Sequence, residues 1–545
     1  MSPKYVFLFL LFSISQKGEA QVFSEILGRP TDTSITMSIL FDQKVDVYWE
    51  YGTGSGKFTN STANYQANAE VPLEVDFSQL LPDTRYYYRT RYRASGSGAS
   101  FKMGTEHTFQ TQRIKGSTFT FTIEADEHLY DKKGVNSIYQ ICLNNQGSDK
   151  PDFMFSLGDT FGDDHQPFTI TNDQLKVLHR DYRPLLGSIC HSIPFYFCLG
   201  NHEGEFDYYL AQTPPNNMAV YGTIWRKFYY ANPVPNSFYT GNNEEEPFGM
   251  GKPENYYAFT WGDALFVVLD VYRYQNVNSA KPQKWDWTLG KTQYDWLKNT
   301  LETSSSKYKF VFAHHTRGEG RGGITTAKFY EWGGLDEKEN AFSFNKNRPG
   351  WEKPIHQLFI DTGVNIFFQG HDHLFAKEDL DGIVYQEVPM PSDSTYEIGM
   401  LANADAYVSN QVGGTGHLRV TVSPSNVKVD FVRAWLPADT QNGIHRNAEV
   451  AFSYTVNSRM ITGQNKSIEE NKFLVYPNPA NDKLLIQQTN GFGRFQVRLI
   501  SILGQQILQT TEKQIDISRI PNGIYLVNIQ TDMTEFNQRI FINHN

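Results

Sequence analysis

The sequence predicts a multidomain fold: an N-terminal β-sandwich, a central α/β domain with layered β-sheets flanked by helices, and a small C-terminal β-sandwich. Three observations carry this expectation. At roughly 150 residues per domain, a length of 545 suits three or four domains. A hydrophobic content of 39%, with 14% aromatics, can fill large cores and excludes wholesale disorder. The apolar pattern also changes twice along the chain, from short alternating runs to continuous ones and back.

Residues 1–20 are expected to be a signal peptide rather than fold. Lys4 precedes an apolar run from Tyr5 to Phe12, polar Gln16 and Lys17 follow, and Ala20 suits a signal-peptidase cut. The run is too short for a bilayer, and no later stretch reaches the ~18 apolar residues of a span, so export without a transmembrane segment is expected. Basic and acidic side chains number 49 and 59, a formal net charge of −10. That balance argues against nucleic acid or an anionic membrane as the main partner. Cys142, Cys190 and Cys198, with no CxxC, exclude a disulfide framework and a cysteine zinc cluster. Cys190 and Cys198 read either as a bridge or as two small buried residues.

Residues 21–113 read as all-β. Val45, Val47 and Trp49 alternate, and turn-rich pieces such as Gly52 to Gly56 and Ser95 to Gly98 separate such runs. Leu80-Leu81-Pro82-Asp83-Thr84-Arg85-Tyr86 resembles the corner before a late strand of fibronectin type III domains, which implies a tyrosine hydroxyl turned back onto the backbone. Between 116 and 436, strand-like runs alternate with helix-like stretches: Thr118 to Ile123, Phe153 to Leu157, Pro194 to Leu199, Ala264 to Leu269, Phe310 to Phe312 and Val364 to Phe368. Continuous apolar runs suit strands buried on both faces. A helix is expected after Thr292 as N-cap, with Tyr294, Leu297 and Leu301 on one face. Leu418, Val420 and Val422, then Val427, Val429 and Phe431, alternate like paired strands.

Residues 437–470 are polar, poor in aromatics, and read mostly as linker. The last segment opens on Tyr476-Pro477-Asn478-Pro479 and carries Asn522-Gly523-Ile524-Tyr525 near its end. Over 471–545 it resembles the C-terminal sorting domain of type IX secretion in Bacteroidota. The resemblance implies that machinery as a partner and passage across the outer membrane, to a secreted or cell-surface location.

Five polar clusters follow five of the apolar runs: Asp126-Glu127-His128, Gly158-Asp159, Gly200-Asn201-His202-Glu203, His314-His315 and Gly370-His371-Asp372-His373. Each alone is a weak signal. Together, loops at the carboxyl ends of strands converge on one crevice and deliver about seven oxygen and nitrogen ligands. That set suits two hard or borderline cations sharing a carboxylate.

These five clusters, in this order over roughly residues 118–376, resemble the calcineurin-like metallophosphoesterases. The resemblance assigns Asp126, His128 and His373 to one metal, Asn201, His314 and His371 to the other, and Asp159 to both. His314 is preferred over His315 because the family ligand comes first after the strand. The ligand set admits Fe, Mn or Zn, as a divalent or mixed-valence pair. A sandwich followed by this domain further resembles purple acid phosphatases, with two departures. His128 stands where they have no histidine ligand, and Gly162 stands where they place a coloured tyrosine, so their metal pair is not implied.

A secreted hydrolase of small phosphate esters follows, with a phosphomonoesterase favoured over a phosphodiesterase or nucleotide hydrolase, and a non-catalytic surface-binding protein third. In it, hydroxide held between two cations attacks phosphorus, and His202 protonates the leaving group. Asp131, Asp163, Asp164 and His165 stand near the first two clusters as residues that orient ligands. His315, Arg317 and Arg321 are candidate substrate contacts in a glycine-rich loop. The competing reading of that loop is a solvated surface excursion.

Overall fold

Along Val45–Gly52 alternate side chains turn inward, and Val45, Val47 and Trp49 are fully buried, as period-two patterning requires. A computed structural model describes residues 23–131, 133–162, 165–277, 281–316, 320–398, 402–458, 473–488, 495–501, 504–531 and 535–544. In it a three-stranded sheet (Phe23–Gly28, Ile35–Phe41, Leu73–Phe77) faces a second sheet built on Val45–Gly52, Arg85–Ala94 and Lys102–Gln110. Met37, Ile39, Trp49, Phe77, Tyr88 and Phe109 fill the space between them. The Leu81 N–H donates to the Tyr86 hydroxyl at 2.9 Å, which pins the corner before Arg85–Ala94. The signal peptide expected over 1–20 lies outside the described residues.

Arg183, wholly buried, joins this sandwich to the central domain. Its guanidinium donates to Ser38 O (2.9 Å), Ser24 Oγ (3.1 Å) and the Tyr229 carbonyl. No carboxylate is among these partners, and burial lowers its pKa to about 10. The contact therefore rests on carbonyl and hydroxyl dipoles.

The central domain packs two sheets face to face. One runs Phe195–Phe197, Phe153–Ser156, Phe119–Glu124, Gly416–Val422, Val427–Arg433, Val450–Val456, its first three strands parallel. The other has Ala264–Val268, Tyr308–Phe312, Ile366–Gln369 and Ile383–Glu387 as a parallel centre with antiparallel strands outside. Phenylalanines fill the interior, with Phe155 stacked on Phe312 at 4.4 Å between ring centroids. Each such ring contributes roughly 1.5–3 kcal/mol by burial. Helices Asn136–Asp149 and Asn172–Cys190 cover the first sheet, and Lys291–Thr303 and Ile355–Thr362 cover the second.

Two expectations are corrected. The helix holding Tyr294, Leu297 and Leu301 starts at Lys291 with Gly290 as its N-cap, because Gly290 adopts φ 76° where the chain turns in; Thr292 lies in the first turn. The stretch read as linker contains a strand, Val450–Val456, paired with Val427–Arg433, whose polar outer face hid an edge strand. The rest of that stretch lies partly outside the described residues. All three cysteines are buried and unpaired with one another.

The C-terminal unit has its own core, with Val475, Leu484, Val497, Val527 and Ile540 between a three-stranded and a four-stranded sheet. The Tyr525 hydroxyl donates to Pro521 O at 2.8 Å, closing the turn around Asn522-Gly523. Among the described residues, no helix is long and apolar enough to cross a membrane.

Candidate metal centre

Asp126, Asp159 and Asn201 follow strands of the first sheet, and His314 and His371 follow strands of the second. The loops converge across the edges of two facing sheets rather than along the crevice of one. Five of the seven expected ligands have left-handed backbones: Asp126 (φ 63°), His128 (45°), Asp159 (60°), His371 (81°) and His373 (60°). Such conformations cost of order 1–3 kcal/mol each and persist where the surroundings over-determine them.

Two clusters made up only of expected ligands result. Asp126, His128 and His373 form one, and Asp159, His314 and His371 the other. His128 Nε2 lies 3.0 Å from His373 Nε2, and His314 Nε2 lies 3.2 Å from His371 Nδ1. Asp159 Oδ2 stands 3.1 Å from His314 Nε2 and 3.8 Å from His128 Nε2, so one oxygen faces both groups. Asp126 Oδ1 is buried without a hydrogen-bond partner, 3.7 Å from both His314 Nε2 and His373 Nε2. Ligands held about 2.1 Å from a cation lie roughly 3.0–3.4 Å apart, so the His128–His373, His314–His371 and Asp159–His314 spacings fit metal binding. The His314 Nδ1–H donates to Leu157 O at 2.8 Å, and His128 Nδ1 faces Asp131 Oδ2 at 3.3 Å, which turns both Nε2 lone pairs inward. Asn201 is held differently, with its Oδ1 accepting from the Tyr272 hydroxyl at 3.4 Å.

Protons compete with cations here. Burial opposes charge on His314, but the Asp159 and Asp126 carboxylates win and push it up to about 10. Burial raises Asp126 to about 8 and holds His371 and His373 well below the ordinary imidazole range. A cation held here would need these residues deprotonated, so loading would displace the protons of His314 and Asp126. Affinity would therefore rise with pH as these two groups, both held above their ordinary values, lose their protons. Adding Mn or Zn to chelator-stripped protein in weakly buffered solution at pH 7 should acidify it, read with an indicator dye; no proton release would contradict this ligand set.

Sequence reasoning missed three supporting residues. Glu203, fully buried, accepts four backbone N–H groups: Asp159 (3.0 Å), Thr160 (2.7 Å), Phe161 (3.0 Å) and Gly200 (2.6 Å). It thereby clamps the Gly-Asp loop to the Gly-Asn-His-Glu loop. Its place in the motif was visible, but its partners were not. Tyr272 is set by a tight turn in which Asp270 Oδ1 accepts the N–H groups of Tyr272 and Arg273. The Tyr130 hydroxyl oxygen lies 3.1 Å from His128 Nδ1, beside the Asp131 carboxylate.

His202 Nε2 lies 3.7 Å from Asp159 Oδ2, its side chain is 13% exposed, and its N–H donates to Asp159 Oδ1 at 2.8 Å. It also falls within a possible donor group with His128 and Asp159. The His165 ring lies 4.6 Å from it. His315 is buried, with its ring 5.1 Å from Tyr272 and 4.6 Å from His371. Arg321 is half exposed, and its Nη1 is 3.7 Å from Asp372 Oδ1. Arg317, Asp163 and Asp164 lie outside the described residues. A Cβ at Gly162 would sit 1.6 Å from His202 O, so backbone packing leaves no room there for a tyrosine.

Comparison with known proteins agrees with this architecture. Residues 119–375 match the model for calcineurin-like phosphoesterases, and residues 474–543 match that for secretion system C-terminal sorting domains. The solved structure of PhoD is similar with a TM-score of 0.55 at 17% identity, covering 80% of this chain and 90% of its own. Purple acid phosphatase PPD1 from yellow lupin (Lupinus luteus) seeds follows with a TM-score of 0.51 at 14% identity, covering 80% of this chain and 74% of its own. At these identities the likeness is one of fold. No curated protein matches the chain.

Proposed function

The central domain belongs to the calcineurin-like phosphoesterases, metal-dependent hydrolases of phosphate esters, and on that premise we propose that this protein is a phosphomonoesterase. The observation that carries the reading is the single Asp159 oxygen facing both donor clusters. Asp126, His128 and His373 would hold one cation and Asn201, His314 and His371 the other, with Asp159 shared. Fe, Mn and Zn all suit nitrogen and oxygen donors. Two such cations, when bound, would supply an acidified water and screen the charge of the phosphoryl group.

The chain's own residues do the rest. His202, partly exposed beside Asp159, is placed to deliver a proton to the departing alkoxide. His315 and Arg321, with Arg317 beside them in sequence, offer donors to phosphoryl oxygens. The C-terminal sorting domain implies export to the surface or the medium, and type IX secretion is the machinery it would address.

The test is steady-state hydrolysis of a nitrophenyl phosphate monoester against its diester, with Mn, Zn or Fe added to the chain. Metal-dependent turnover dominated by the monoester supports the reading. Dominant diester turnover moves the assignment to a phosphodiesterase, and turnover of neither ester despite two bound metals overturns it.

A further inference from the structure

Asp372 stands between two expected ligands, His371 and His373, but its carboxylate meets other groups. Oδ2 accepts the Gly322 N–H at 2.7 Å and the Tyr407 hydroxyl at 2.9 Å. The Asp372 N–H donates to Glu387 Oε1 at 2.9 Å, and the Asn403 N–H donates to Asp372 O at 2.9 Å. Tyr407 is itself anchored, since its oxygen lies 2.8 Å from Glu387 Oε2 and accepts from Gln369 Nε2 at 2.9 Å. The residue after Arg321 is therefore tied to the residue between two ligands, and the tie is fixed from behind.

The other oxygen is the informative one. Asp372 is fully buried, and its Oδ1 has no hydrogen-bond partner. A buried carboxylate oxygen left without a donor is costly. Arg321 Nη1 is 3.7 Å away, on a side chain that is 53% exposed. A guanidinium has five N–H donors in a planar fork, so a bond from one edge leaves the other edge free.

We propose that Asp372 is a positioning residue that holds Arg321 at the mouth of the metal centre by one edge of its guanidinium, presenting the other edge to a non-bridging phosphoryl oxygen. The proposal rests on the phosphoester reading of the site. It also assigns Arg321 to discrimination, because a monoester offers one more charged oxygen to the free edge than a diester does. An ordinary surface ion pair would leave phosphate affinity untouched.

Inorganic phosphate binding to the metal-loaded full chain, followed by calorimetry, is the direct test. Arg321→Ala should weaken phosphate about 10-fold, the scale of one charge-assisted hydrogen bond. Asp372→Asn should weaken it by a similar factor, yet add less than about 2-fold in the Arg321→Ala background. KM for the monoester should rise in the same pattern, more than for the diester. Unchanged phosphate affinity in Asp372→Asn, full multiplication of the two effects, or loss of metal from Asp372→Asn would overturn the proposal. If Asp372→Asn does not fold, Tyr407→Phe removes one hydroxyl from Asp372 and keeps the ring. It should weaken phosphate about 2- to 3-fold, and only while Arg321 is present; no change would also overturn the proposal. Coupled phosphate binding without ester turnover would sink the hydrolase reading alone, whereas turnover with uncoupled binding would sink the proposal alone.

Discussion

Replacing Asp159 with Asn should lower kcat/KM for a phosphate monoester by about 10³-fold and strip at least one metal from the chain. The change is chemically small. Oδ1 of Asp159 accepts the His202 N–H at 2.8 Å, and an asparagine oxygen can keep that bond, so the loop stays folded. The other atom carries the effect. Oδ2 is 3.1 Å from His314 Nε2 and 3.8 Å from His128 Nε2, and only a charged carboxylate oxygen there can serve two cations. An amide NH₂ at that position would point protons at the donors that the proposed centre needs for its cations. Breaking one partner of a buried charged set costs about 3–5 kcal/mol, or roughly two to four powers of ten in binding. Elemental analysis beside steady-state kinetics checks this, and a variant keeping two metals with activity within 10-fold would refute the bridging role.

The candidate ligands are legible because each stands directly after an apolar run, where chemistry-bearing side chains have no packing reason to be. Asp126 after Phe119–Glu124 and His371 after Ile366–Gln369 are examples, and the strands themselves were readable as buried runs. What holds those residues in place is not legible. The left-handed backbones at Asp126, His128, Asp159, His371 and His373 follow from how loops on two sheets meet, which no local pattern encodes. Glu203 reads as the end of a motif, but three of its four N–H partners come from one loop about forty residues away and the fourth from its own. Tyr272 lies far in sequence from Asn201 and reaches it only through the Asp270 turn. The strand Val450–Val456 escaped notice because an edge strand with one open face carries polar residues, and composition alone made it resemble a linker.

His202 should show its role through the leaving group rather than through the overall rate. An alkyl alkoxide is a poor leaving group and needs its proton in the transition state, whereas nitrophenolate departs without one. A positioned acid contributes typically 10²- to 10⁴-fold. His202→Ala should therefore lose on that order with an alkyl phosphate, and far less with nitrophenyl phosphate. The geometry makes the alternative concrete, because His202 also falls within reach of a cation held by His128 and Asp159. A ligand would be needed whatever the leaving group, so its loss would slow both esters alike and lower the metal content. The ratio of the two kcat/KM losses separates the roles: a ratio near one with metal lost assigns His202 to the centre, and a ratio of tens or more with both metals retained assigns it to proton delivery.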